Sequence, residues 1–196
     1  MKNKLKILLM VSGLFLLSAN SMAETAEQID IKANKVLEIF KHKHGASKFL
    51  SQVKGYMVFP SVMKGGFIVG GEYGEGVLYV NNEFGTNKEY YSIASGSVGF
   101  QAGVQKGSYL IAFASQNALD SFRRSNGWEA GVDGVITVVT WGAGKDISSI
   151  SFEKPIYAFV FNSKGIMGSV SIEGTKFTKI IPSKTAVYDE IENMTD

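Results

Sequence analysis

KGGFIVGGEYGEGVLYV, Lys64 to Val80, carries six glycines within twelve residues, at 65, 66, 70, 71, 74 and 76. Glycine at this density means either a loop that cradles phosphate or backbone packed closely in a sheet. A P-loop needs G-x-x-x-x-G-K-[ST]. Gly65 and Gly70 have that spacing, but Gly71 and Glu72 stand where Lys and Ser/Thr are required. The dinucleotide fingerprint G-x-G-x-x-G fails too, because Tyr79 follows Gly74 and Gly76 where the third glycine belongs. Glu72 and Glu75 would repel a phosphate, and GVLYV continues as a strand, not a helix. The stretch therefore reads as a bent, tightly packed piece of sheet, with Glu72 and Glu75 facing solvent at the bend.

Strands extend outward from it on both sides. YMVF precedes Pro60, and EYYSIAS, SVGFQAGVQ and YLIAFA follow. Val98, Phe100, Ala102 and Val104 alternate with Gly99, Gln101, Gly103 and Gln105, the pattern of a half-buried strand. GVITVVTW, SSISF and IYAFVFN come later, and YAFVFN-SKG-IMGSVSIE reads as a hairpin with Gly165 supplying its turn.

Two segments break the strand pattern. In AEQIDIKANKVLEIF, Ala26, Ile29, Ala33, Val36, Leu37 and Phe40 fall within an arc of about 100°, which defines an amphipathic helix. Ile31 and Ile39 lie off that stripe and make a second, weaker contact face. Gly45 ends this helix, and a short one over SKFLSQVK is closed by Gly55. Midway, Ser115 caps a helix whose apolar set is Ala118, Leu119 and Phe122, with Gly127 as its stop. The acidic tail TAVYDEIENMTD reads as a frayed helix. The expected fold is a single α+β domain. Its strongly curved, mostly antiparallel, barrel-like sheet carries an N-terminal amphipathic helix and a short mid-chain helix.

Residues 1–23 read as a signal peptide. Lys2, Lys4 and Lys6 precede the apolar run ILLMVSGLFLL, and Ser21 and Ala23 are small residues before a cut at Glu24. The run is short of the roughly 20 apolar residues that span a bilayer. The expectation is export, to a periplasmic or envelope location if the source is bacterial, with one domain over 24–196. The whole chain has 20 basic and 18 acidic residues. Three lysines and no acids lie in 1–23, which leaves 17 against 18 and a net charge of −1. That balance excludes a globally basic nucleic-acid binder. There is no cysteine, so an oxidising compartment adds no disulfide and burial alone must hold the fold.

Catalytic chemistry finds little footing. There is no G-x-S-x-G elbow, and Asp120, Glu129 and Asp133 carry no mark of an acid–base pair. The histidines, His42 and His44, are spaced i, i+2 and do not share a helix face; contact with the helix C-terminal dipole accounts for them better than a metal. The reading is non-enzymatic, with no cofactor and no metal. One asymmetry remains. No acid stands between Glu38 and Glu72, an interval holding Lys41, Lys43, Lys48, Lys54 and Lys64 among Phe40, Phe49, Leu50, Tyr56 and Met57. Basic residues interleaved with apolar ones suit an anionic membrane surface, and equally a solvated face on a helix whose stripe packs on the sheet.

VKGYMVFPSVMKGGFIVGGEYGEGVLYV (53–80) resembles the opening signature of the SYLF domain family, and SIASGSVGFQAGVQ (92–105) its second. Phe113 with ALDSF, then Trp128, Gly131 and Asp133, then PIYAFVFNSKGIMGSVSIEGT (155–175) follow in that family's order, so the similarity covers about 34–176. The resemblance implies a lipid-binding domain. Eukaryotic members, joined to SH3 or FYVE modules, bind phosphoinositides and act on membranes and actin; stand-alone exported members are bacterial envelope proteins. It also implies membrane contact through the N-terminal amphipathic, basic segment, giving Phe40, Lys41, Lys43, Lys48, Lys54 and Lys64 as candidate lipid-binding residues. The expected partner is an anionic phospholipid surface, with actin regulation not transferable to an exported chain. Two rival expectations are a carrier of a hydrophobic molecule in a barrel-like cavity and a small outer-membrane β-barrel.

Overall fold

The computed structural model describes residues 23–66, 69–82, 85–98, 103–139, 147–162, 165–167 and 171–183. Helix α1 (Ala26–Lys41) and short helix α2 (Ala46–Gln52) lead into four long strands: β1 (Gly55–Gly66), β2 (Val69–Asn82), β3 (Gly85–Val98) and β4 (Gly103–Phe113). Helix α3 (Gln116–Arg124) follows, then β5 (Trp128–Glu129), β6 (Thr137–Val138), β7 (Ile156–Asn162), β8 (Gly165–Met167) and β9 (Lys176–Ile180). The strands form one curled sheet in the order β5-β9-β3-β2-β1-β4-β7-β6, with β8 paired to β7. The β6–β7 pair is parallel and every other pair antiparallel. The expected α+β domain with a strongly curved, mostly antiparallel sheet is what the chain forms.

Both faces of the sheet are covered. On one, Met57, Phe59, Leu78, Tyr91, Tyr109 and Ile111 pack with Leu119 and Phe122 of α3 and with Trp128 and Phe177. On the other, Val58, Val77, Leu110, Ala112, Phe159 and Phe161 meet the stripe of α1 and Phe49 of α2. Two-sided burial explains why YLIAFA does not alternate: Tyr109, Ile111 and Phe113 enter one core, Leu110 and Ala112 the other. It also departs from the pattern of an outer-membrane barrel. Among the described residues β5 and β6 end the sheet without pairing to each other, and beside the helices the strands bury apolar residues on both faces, unlike the apolar-out alternation of such a barrel.

The glycine-rich stretch is the hairpin partner of a bulge. The β1–β2 register shifts between Val58 and Ser61, and the β1–β4 register between Phe59 and Val62, around Pro60, which lacks a ladder donor. Gly74 and Gly76 lie against this distortion. A Cβ on Gly76 would meet the Val58 carbonyl and come within 2.6 Å of Phe59 Cδ1, and one on Gly74 would lie 2.7 Å from the Ser61 carbonyl.

Three sequence expectations need correction. Glu72 is not solvent-facing. It points to the same side as Leu78 and is buried, with Lys64 opposite it in register and its ammonium 2.7 Å away. The alternating run at 98–104 is not one strand: β3 ends at Val98, β4 begins at Gly103, and β2 and β1 lie between them in the sheet. Gly165 does not sit in its turn but pairs with Asn162 as the first residue of β8. Boundaries shift as well. Gly45 is the left-handed N-cap of α2 and Gly55 opens β1, while Gly127, at φ 104°, follows α3 as expected. The tail read as a frayed helix lies outside the described residues.

Candidate lipid-contact surface

Helix α1 begins at a capping box: the Thr25 hydroxyl accepts from Gln28 N at 3.2 Å, and Gln28 Oε1 accepts from Thr25 N at 3.0 Å. Lys41 in its last turn and His42 at its C-cap lie at the negative end of the helix dipole. Ile29, Ala33, Val36, Leu37 and Phe40 are buried, as their spacing dictates. Asp30 ties the helix to β3 by an ion pair to Lys88 at 2.6 Å.

Phe40 lies in the core. Its ring has no exposed surface and meets Phe159, Phe161 and Phe49 at centroid distances of 4.8, 5.9 and 6.4 Å. The apolar stripe faces the sheet, so Phe40 is not placed to touch lipid. What α1 turns outward is Ile31 and Ile39, 50% and 55% exposed. Lys35, four residues from each, stands between them on that face.

The lysines divide into three kinds. Lys41 is exposed and pairs with Glu38 at 3.0 Å, and its charge partly offsets the burial that raises the Tyr56 hydroxyl pKa. Lys48 on α2 and Lys54 before β1 are exposed, Lys43 in the intervening turn is half-buried, and none of the three has a carboxylate partner among the described residues. Lys64 is different. It is engaged by Glu72, lies 5.6 Å from the Tyr109 ring centroid, and sits at the far end of β1 from Lys54. Ten residues of strand separate the two by about 30 Å. The helix–turn–helix therefore carries Lys41, Lys43, Lys48 and Lys54 together and leaves Lys64 out.

Among the described residues no group of three His, Cys, Asp or Glu is placed to hold a metal ion, and no helix is long and apolar enough to cross a membrane. A cavity of about 230 Å³ opens between Ala130, Val135, Ile136, Val138 and Ile172. It is smaller than the roughly 300–1,000 Å³ of ordinary ligand pockets.

Over residues 94–194, more than half its length, the chain matches the Ysc84 family, described as Las17-binding protein actin regulator, and it belongs to that family. This bears out the resemblance drawn from the sequence motifs. The match begins at Ala94, beyond α1, α2 and the glycine-rich hairpin. Membership is consistent with a lipid-binding domain without catalysis. No curated protein matches the chain.

Proposed function

We propose that the chain is an exported, non-catalytic domain that lies against anionic phospholipid surfaces through its helix–turn–helix edge. The observation that carries this reading is the outer face of α1, where two isoleucines stay half-exposed although the opposite stripe already supplies the packing against the sheet. Ile31 and Ile39 are the inserted groups, and Lys35, Lys41, Lys43, Lys48 and Lys54 are the cations around them. Each lysine near such a surface contributes about 1 kcal/mol, falling with salt, so the cations alone give weak attachment and the isoleucines add an apolar term. Phe40, held in the core, and Lys64, engaged by Glu72 at the far end of β1, are left out of the contact. The family's description as an actin regulator does not extend to a chain that leaves the cytoplasm.

Co-sedimentation of residues 24–196 with phosphatidylglycerol-containing and with pure phosphatidylcholine vesicles tests this, at low and high salt. Binding should require the anionic lipid, weaken with salt, and drop both in the Lys41, Lys43, Lys48 and Lys54 to Gln variant and in Ile31→Ser/Ile39→Ser. Equal binding to both vesicle types, or none to either, overturns the reading.

A further inference from the structure

Glu24 is held at three points. Its backbone nitrogen donates to Glu75 Oε2 of β2 at 3.0 Å, its carbonyl accepts from Ser183 N at 3.2 Å, and its carboxylate lies 2.8 Å from Lys32 of α1. Thr25 next to it forms a bridge with Ser183. The other oxygen of Glu75 accepts from the Tyr73 hydroxyl at 2.7 Å. So a carboxylate on the sheet is aimed at one particular backbone nitrogen, and that nitrogen belongs to the bond at which the sequence places leader cleavage. Ala23, on the other side of that bond, is exposed.

We propose that Glu75 is the receptor for the mature amino terminus. Hydrolysis of the Ala23–Glu24 bond adds water across it: the hydroxyl goes to the Ala23 carbonyl, which leaves as a carboxylate, and the Glu24 nitrogen becomes an amine that takes up a proton. A single amide donor is thereby replaced, at the same place, by an ammonium with three donors and a full positive charge. The contact to Glu75 changes from a hydrogen bond into an ion pair. Processing then fastens the start of α1 to β2, and the fold registers where the cut was made. One residue more or less displaces the charge by about 3.8 Å, beyond hydrogen-bond reach of Glu75.

The surroundings favour the charged amine. Among the described residues, Glu75 and Tyr73 face it from β2, and from the α1 side Glu24's own carboxylate, with Lys32 already engaged by that carboxylate. Burial first, then the hydrogen bond to Glu75 and the charges of Glu75 and Glu24, push the Tyr73 hydroxyl up to about 12. The Glu75 and Glu24 carboxylates favour the charged form of an amine at this place, whose ordinary range is about 7.7–8.0. Stabilisation from an ammonium–carboxylate pair is in place below that range and is lost as pH rises through the amine's folded value.

This inference rests on the export reading, and the experiment separates the two. The intact mass of the protein exported by a bacterium carrying the full chain reports the cut site. Melting temperatures of that protein and of a chain begun at Met22 in the cytosol, each with and without Glu75→Gln, report the pair. At pH 6.5 the substitution should lower Tm by about 3 °C more in the processed protein than in the extended one, an excess that disappears at pH 10.5. A chain that is neither exported nor cut overturns the export reading and the inference with it, whereas export with a cut at another bond overturns the inference alone. A cut at Glu24 with equal losses in both chains at both pH values overturns the ion pair alone. Should Glu75→Gln fail to fold, titration of the Glu24 amine by NMR in the unmutated exported protein decides, an ordinary value being the overturning result.

Discussion

Lys64 and Glu72 face each other across β1 and β2, with the ammonium 2.7 Å from a carboxylate whose side chain is 6% exposed. Neither charge could be buried there alone. Removing one partner of a buried pair is costly because the other stays desolvated, whereas removing both is much milder. Lys64→Ala should destabilise the protein by about 2–3 kcal/mol, at the low end of that range of effects because Lys64 retains some solvent. Lys64→Met combined with Glu72→Leu should recover most of the loss. Urea denaturation of the unsubstituted protein and these two variants measures both.

A second charged cluster predicts a pH dependence. Burial alone would raise the Glu89 carboxyl, but hydrogen bonds from Arg123, Lys179 and Tyr91 outweigh it and hold the group at about 2. A depressed folded value means a contribution in place above the unfolded value of about 4.3, lost as pH falls toward 2. Glu89→Gln should therefore lower Tm at pH 7, and the gap to the unsubstituted protein should narrow below about pH 4 and close near 2. Because Glu89 joins α3 to β3 and β9, the same variant should loosen α3 first in hydrogen exchange.

Two glycines should respond oppositely to alanine. A Cβ on Gly76 runs into the Val58 carbonyl and the Phe59 ring, and the bulge leaves them no room to retreat. Gly96 has nothing within 4 Å of the added atom. Gly76→Ala should cost about 2 kcal/mol or more and Gly96→Ala within about 0.5, as read by denaturant midpoints.

Phe40 and Ile39 are neighbours in sequence with separate fates. Phe40→Ala should cost about 3–5 kcal/mol, since three aromatic rings lose their partner. Ile39→Ser should leave Tm within about 2 °C, since the side chain is mostly in water. Vesicle binding should fall in Ile39→Ser without loss of fold. A fall in Phe40→Ala that tracks unfolding would carry no information about lipid.

These pairs also show what one sequence can and cannot convey. The buried stripe of α1 was legible because helical period is a local property, and all five of its core residues follow from spacing alone. What the stripe packs against is not local. Phe40 reads equally as a lipid anchor or a core residue until Phe159, more than a hundred residues on, is brought beneath it. Glu72 was misread for the same reason. A glutamate among glycines resembles a solvated bend, and its neutralising partner becomes visible only through the register of β1 against β2. Ile31 and Ile39 are legible too, as apolar residues off the stripe, and both stay exposed.

The position of β9 bears on how the chain is made. Strand β3 pairs with it between Tyr90–Ala94 and Lys176–Ile180, so about 80 residues must be synthesised before that edge of the sheet is closed. Until Phe177 arrives, Phe59, Phe122 and Trp128 lack one of their aromatic neighbours. Long-range closure of this kind slows folding and leaves a strand edge open to other chains. A growing or translocating polypeptide would thus pass through an interval of stickiness, which lasts at the β3 edge until β9 is made. Any escort protein that shields it would have to let go only after residue 180 has emerged.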